Sequence, residues 1–221
     1  MIDPIDWLSE TVFSILIFLT FTLAFRIIRL AKVPVQPLIS GYVIDEMLVS
    51  VLGAILAWGI IDGVMYVLLS IFERGERHRL LRDIQGAQTD QDALAAIADD
   101  MDYFLEPITD ENERQALYKN ILIHLRAGKP RNIGLRREDY FSALAHVLVA
   151  IVAVIPSVIP LFVFHTNYDL AIRVSILVSF IVLFFAGYRW GTYTGANPWK
   201  TGLLLMFVAA VLVLIAIPLG G

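Results

Sequence analysis

Asp62 is the side chain in this sequence whose type and place most strongly suggest chemistry. It sits in an apolar run, residues 43–72, interrupted only by Asp45, Glu46 and Asp62 itself. If the run leaves the hydrocarbon at Glu73, Asp62 lies 11 residues inside it. That is about 16 Å of helix, near the midplane of a core roughly 30 Å thick. A carboxylate there costs at least about 2.5–3.5 kcal/mol on insertion scales, so it should face the interior of a helix bundle. A group that alternates between a protonated and an ion-bound form is what a proton-coupled cation carrier needs. The competing reading is a hydrogen bond to a serine, a tyrosine or a backbone group on another helix.

Met65 stands three residues on, on nearly the same helix face. A thioether beside a carboxylate suits a transition metal such as Fe²⁺ better than Na⁺ or Mg²⁺; packing is the alternative. Glu10 is the one acid inside the first apolar run and can supply an oxygen at the cytoplasmic mouth or act as an interfacial charge. Glu73 and Glu76, where the second run ends, and Asp99-Asp100-Met101-Asp102 are candidate metal-collecting clusters, or solvated faces. Asp45 and Glu46 mark an outer vestibule or a solvated helix start.

Other chemistry is excluded by its missing parts. His78, His124, His146 and His165 have no HxxxH or HxxE partners, and there is no Walker A, GxSxG or dinucleotide fingerprint. The absence of cysteine removes thiolate metal sites, disulfides and a cysteine nucleophile. No enzyme activity and no resident cofactor are expected.

Five apolar stretches must hold these side chains in place: 7–25, 43–72, 141–164, 170–188 and 201–219. Each is long enough to cross a bilayer as a helix, and lipid leaves the backbone no alternative without strand alternation. The whole chain of 221 residues is 58% hydrophobic and 17% charged, with mean hydropathy +0.72. Its charges are concentrated: 25 fall in residues 73–140, 14 acidic and 11 basic. A soluble enzyme, a disordered chain and a nucleic-acid binder all fit poorly, the net charge being −4. The acidic N-terminus, without a basic n-region or a cleavage pattern, predicts that the first stretch is retained as a span.

The expected fold class is therefore all-α: a polytopic membrane protein with five transmembrane helices and a small helical cytoplasmic insert between spans two and three. Three segments follow: 1–72 with helices 1 and 2, 73–140 with the insert, and 141–221 with helices 3 to 5. Within the insert, 74–85 continues the second span, while 91–105 and 111–125 carry apolar residues at helical period. Pro156 and Pro160 fall inside the third span, as packing kinks or as a bend that opens an ion path; Pro34 and Pro37 fall between the first two spans. Gly59/Gly63 and Gly187/Gly191/Gly195 have the spacing of close helix approach, the first pair bringing a helix or a second subunit against the Asp62 face. Nine basic residues near span ends on the insert side, against Arg26, Arg29, Lys32 and Arg173 on the other, put the N-terminus and insert in the cytoplasm and the C-terminus outside.

Several segments together resemble the vacuolar iron transporter family. They are Ala57-Trp-Gly-Ile-Ile-Asp-Gly-Val-Met-Tyr66, Ser70-Ile-Phe-Glu-Arg-Gly-Glu-Arg77, Ile155-Pro-Ser-Val-Ile-Pro160, Arg173-Val-Ser175, Ala186-Gly-Tyr-Arg-Trp-Gly-Thr-Tyr-Thr-Gly195 and Pro198-Trp199. The sequence is most similar to a divergent prokaryotic branch. The resemblance implies a homodimer in a prokaryotic plasma membrane that exports or sequesters Fe²⁺, or Mn²⁺, as cargo in exchange for protons. It implies that Asp62 and Met65, with Glu10, fill the membrane roles and that insert glutamates gather metal. Two features depart from the family pattern. The Asp-Gly pair stands on the second span, as Asp62-Gly63, instead of the first, and the insert lacks repeated glutamate pairs. The alternative of another class is a non-transporting membrane protein whose insert binds a partner or senses metal; a passive cation pore is a third reading.

Overall fold

The computed structural model describes residues 4–31, 40–129 and 133–219, and within them every regular element is a helix. In chain order these are α1 (Pro4–Ala31), α2 (Ser40–Gly86), α3 (Asp90–Leu105), α4 (Glu111–Ala127), α5 (Arg137–Val163), α6 (Tyr168–Thr194) and α7 (Pro198–Leu219). Five of them, α1, α2, α5, α6 and α7, are long and apolar enough to cross a membrane. Pro34, Pro37, Lys32 and Arg131 lie outside the described residues.

The chain forms two compact units. One comprises Met1–Tyr66 with Tyr140–Gly221; the other is Val67–Asp139. Helix α2 contributes to both, because its 47 residues run without a break from apolar sequence into charged sequence. No proline interrupts this helix, and its charged end is rich in Glu, Arg and Leu, all good helix formers.

In the first unit, α6 packs on α7, and α1 packs against both. The core gathers Ile15, Phe18 and Leu19 of α1, Ile44, Met47, Val51 and Ile55 of α2, and Val154, Leu161, Ile172 and Leu183 of α5 and α6. Elsewhere large apolar side chains face outward, among them Leu52, Leu56, Ile60 and Val64 of α2 and Phe207 and Leu214 of α7. Water would penalise such a surface, whereas lipid does not.

Small residues set the closest contacts. A Cβ on Gly187 or Gly191 would stand 2.7 Å from backbone atoms of Thr201 or Pro198, so these glycines let α6 and α7 approach. On α2, a Cβ on Gly63 would stand 2.7 Å from the Ala143 carbonyl oxygen, and one on Gly59 3.2 Å from Val147 Cα. The helix brought against this face is therefore α5 of the same chain. Gly63→Ala is expected to destabilise the protein by roughly 1–3 kcal/mol, because a backbone carbonyl cannot step aside as a side chain can. Gly53→Ala, on the same helix but with open space around it, should be neutral or slightly stabilising. Thermal unfolding of the two variants in detergent checks the contrast.

Pro156 and Pro160 leave α5 continuous. A proline removes one backbone donor and crowds the preceding turn, which lipid cannot repair. Here α6 repairs it. Ser175 donates its hydroxyl to the Ser157 carbonyl, and the Ser179 hydroxyl lies 2.8 Å from Ser157 Oγ, all three serines being buried.

The second unit is the charged end of α2 with α3 and α4, closed around Ile84, Ala93, Ile97, Tyr118 and Leu122. Thr89 caps α3 by accepting from Asp92 N at 3.1 Å, and Asp110 and Glu113 form a reciprocal capping box on α4. Gln85 donates to the carbonyls of Leu125 and Gly128 at 2.9 and 2.8 Å, which ties the end of α4 to α2. Arg74 grips Asp139 with two hydrogen bonds, 3.1 and 2.8 Å, and Asp139 also accepts from Arg136 N at 2.8 Å.

Tyr118 donates its hydroxyl to Asp102. Burial, and then that hydrogen bond, pushes the Tyr118 phenol up to about 12. A group whose folded value exceeds its unfolded value near 10 stabilises the fold fully below that pH, and the contribution fades as pH rises through about 12. Tyr118→Phe should lower the thermal midpoint by a few degrees at neutral pH and remove the highest step from a tyrosinate absorbance titration. A titration identical to that of the parent would show that this phenol is not held.

Candidate metal-ion site

Glu10 of α1 is 1% exposed, deep for a carboxylate. One of its oxygens accepts from Ser14, one turn on, at 3.3 Å; the other is buried with no hydrogen-bond donor on it among the described residues. The Asp62 carboxyl of α2 is near enough to Glu10 to interact with it electrostatically. Two ionised carboxylates are both acceptors only, so a bond between them needs a proton on one. A divalent cation can take the place of that proton and satisfy both groups. Two carboxylates cancel the charge of one M²⁺, which keeps the complex cheap in a low-dielectric bundle. The structure thus brings together two acids that stand 52 positions apart in sequence.

Met65 is placed differently. It is 47% exposed on the outward face of α2, alongside Val64, Leu68 and Leu69. A three-residue step turns the helix through 300°, leaving the two side chains about 60° apart. That offset separates them here, because the buried stripe of α2 (Val51, Ile55, Gly59, Gly63) is narrow.

Glu73 and Glu76 lie in the second unit. With Asp83 of α2 and Asp99 and Asp100 of α3 they line an open cleft of about 520 Å³, which Arg77 and Arg79 also border. The helical period places 73, 76, 80 and 83 along one face of α2, opposite the acidic turn of α3. Five carboxylates against two guanidiniums leave the cleft net negative, able to concentrate cations from water. Asp102 takes no part: it accepts from Tyr118 and pairs with Arg114 at 3.3 Å. At the other end of α2, Asp45 meets His165 Nε2 at 3.1 Å. Among the described residues, no three His, Cys, Asp or Glu side chains converge as a ready-made cage for a metal ion.

Sequence reasoning missed one neighbour of the pair and two rings at the depth of Asp62. Ser14 lies one turn from Glu10 and Tyr66 one turn from Asp62, while His146 of α5 stacks on Tyr66 with ring centroids 4.7 Å apart. The i+4 spacing of Ser14 and Tyr66 was a readable signal. The approach of His146 was not, since it depends on how α5 crosses α2.

No curated protein matches the chain significantly. A sequence profile of the VIT family matches residues 72–221, which take in Glu73, Glu76, the second unit and α5 to α7. Glu10, Asp62 and Met65 precede the matched stretch. A match over more than half the chain, together with five membrane-length apolar helices, leads to one conclusion: this protein belongs to the VIT family and is an integral membrane protein of that metal-ion transporter family.

Proposed function

We propose that this protein carries a divalent transition metal, Fe²⁺ or Mn²⁺, across the membrane in exchange for protons. The observation that carries the reading is the Glu10–Asp62 carboxyl pair in the five-span unit, with Glu10 buried and Asp62 half-buried. With the cation absent the pair holds a proton; a cation arriving displaces it, and cation release on the far side allows reprotonation. The acidic cleft with Glu73 and Glu76 collects metal from water, and the metal is cargo, not a resident cofactor. The distribution of basic residues supports a cytoplasmic insert, and the resemblance to prokaryotic relatives supports a prokaryotic plasma membrane.

A homodimer fits the outward apolar face of α2. Met65 lies on that face, so ligation by its thioether and coverage of the face by a second copy stand or fall together. A second reading, an insert that recruits a partner, draws on exposed Tyr103, Phe104 and Ile108 of the second unit.

Purified protein in liposomes tests the transport reading. Uptake of Fe²⁺, Mn²⁺, Co²⁺ and Zn²⁺ is measured with and without an opposing pH gradient, alongside a lumenal pH dye. The gradient should accelerate uptake and each metal should move protons the other way. Flux indifferent to the gradient would indicate a pore, and no flux would favour the recruiting role.

A further inference from the structure

His146 is 6% exposed and lies nine residues inside α5. An ionisable side chain at such a place in a membrane helix calls for an explanation. Its Nδ1 is 2.8 Å from the Ser142 carbonyl oxygen, and a carbonyl only accepts, so Nδ1 carries the proton. In the neutral ring this leaves Nε2 with the lone pair, the state in which imidazole binds metals. The Tyr66 ring, tilted 38° to the imidazole, limits how the ring can turn.

Depth places this ring level with Asp62; Glu10, Asp62 and His146 do not converge as a cage in this structure, so ligation has the side chains turn toward a common ion. Gly63 faces Ala143 and Gly59 faces Val147, so α2 and α5 run antiparallel with 62–63 level with 143–144. Helical side chains lean toward their own N-terminus, Tyr66 toward position 62 and His146 toward position 142. The two rings therefore meet beside the turn that carries Asp62. Gly63 and Gly59 are what allow α5 this close.

We propose that His146 Nε2 is a nitrogen ligand for the cargo ion at the Glu10–Asp62 site, and that it sets the preference of that site for transition metals. The inference rests on the transport reading above. Carboxylates and a serine hydroxyl are hard donors that suit Mg²⁺, Ca²⁺ and Mn²⁺, whereas imidazole suits Fe²⁺, Zn²⁺ and Ni²⁺. With Met65 on the outer face, His146 is the borderline donor that this chain itself brings to the depth of Asp62.

Two variants of the full chain in liposomes separate ligation from packing. His146→Phe keeps a ring against Tyr66 and loses the nitrogen; His146→Gln offers an amide oxygen, a hard donor, in its place. Uptake of Co²⁺, Zn²⁺ and Mn²⁺, each supplied as the metal alone, gives KM and kcat. His146→Phe should raise KM for Co²⁺ and Zn²⁺ at least about 10-fold with kcat changed less. His146→Gln should restore Mn²⁺ uptake and leave Co²⁺ and Zn²⁺ weak, a reversal of preference that a packing role would not produce. Wild-type KM ratios among the metals in both variants would overturn the proposal. If His146→Phe does not assemble, the Gln variant decides alone; pulsed EPR of Mn²⁺ on the parent protein adds a reading that needs no variant, and absence of imidazole nitrogen coupling would overturn the assignment. Asp62→Asn, run in parallel, keeps the two ideas apart. Uptake surviving in Asp62→Asn would sink the transport site itself, whereas uptake lost there with unchanged His146 variants would sink only the nitrogen ligand.

Discussion

Asp62→Asn is expected to reduce metal uptake by roughly two orders of magnitude while leaving the protein folded. The amide is nearly the size of the carboxyl, so packing against α1 is kept. The charge is not kept, and one carboxylate cannot balance a divalent ion in a low-dielectric bundle. Stability should move in the opposite direction from activity. A charged group in mid-membrane costs about 2.5–3.5 kcal/mol on insertion scales, and the amide avoids much of that cost. Glu10→Gln should behave alike, because Glu10 is the other half of the pair and is buried among the core residues. The informative outcome is the combination: normal or raised thermal stability in detergent, with uptake lost and with no proton movement reported by a lumenal dye. Full uptake in both single variants would mean that the pair is an interhelical hydrogen bond and nothing more.

The largest effect on folding is expected at Asp139. Arg74 and Asp139 are 14% and 7% exposed, and their two parallel hydrogen bonds join positions 65 apart in sequence. Asp139→Asn leaves the guanidinium without its counter-charge, and it weakens the acceptor for Arg136 N at the start of α5. Removing one partner of a buried pair costs more than replacing both by apolar groups of similar size. The thermal midpoint of Asp139→Asn should fall by roughly 5–10 °C, and that of Arg74→Met by a similar amount. The double variant Arg74→Met/Asp139→Leu should recover a good part of the loss. Additive single losses in the double variant would show that the two side chains do not act as a unit.

Much of the fold is legible in the sequence. The five apolar runs, the continuation of the second run into charged helix and the two helices after it appear at almost the positions that periodicity marks: 91–105 against Asp90–Leu105, and 111–125 against Glu111–Ala127. These features depend on local composition, since a segment either can or cannot leave water, and hydrogen-bonded helix is the form it then takes. Glycine spacing announces close approach, but it does not say to what. Gly59 and Gly63 turn out to face α5, and Gly187 and Gly191 face α7.

The site is legible only in part. Asp62 stands out because a carboxylate amid thirty apolar positions is costly, and cost is visible in one dimension. Its partners are not. Glu10 meets Asp62 because α1 and α2 take one particular register, and His146 arrives because α5 crosses α2 at two glycines. Met65 shows the same limit from the other side. Three residues and about 60° separate it from Asp62, and whether that angle leaves it inside or outside is set by how much of the α2 circumference its neighbours cover. By itself the sequence determined that this is a five-span, all-helical membrane protein with one costly acid in mid-membrane, because hydropathy and helical period act over a few turns. The tertiary structure alone decided which side chains share that acid's surroundings, because helix rotation and register are fixed by packing between segments far apart in the chain.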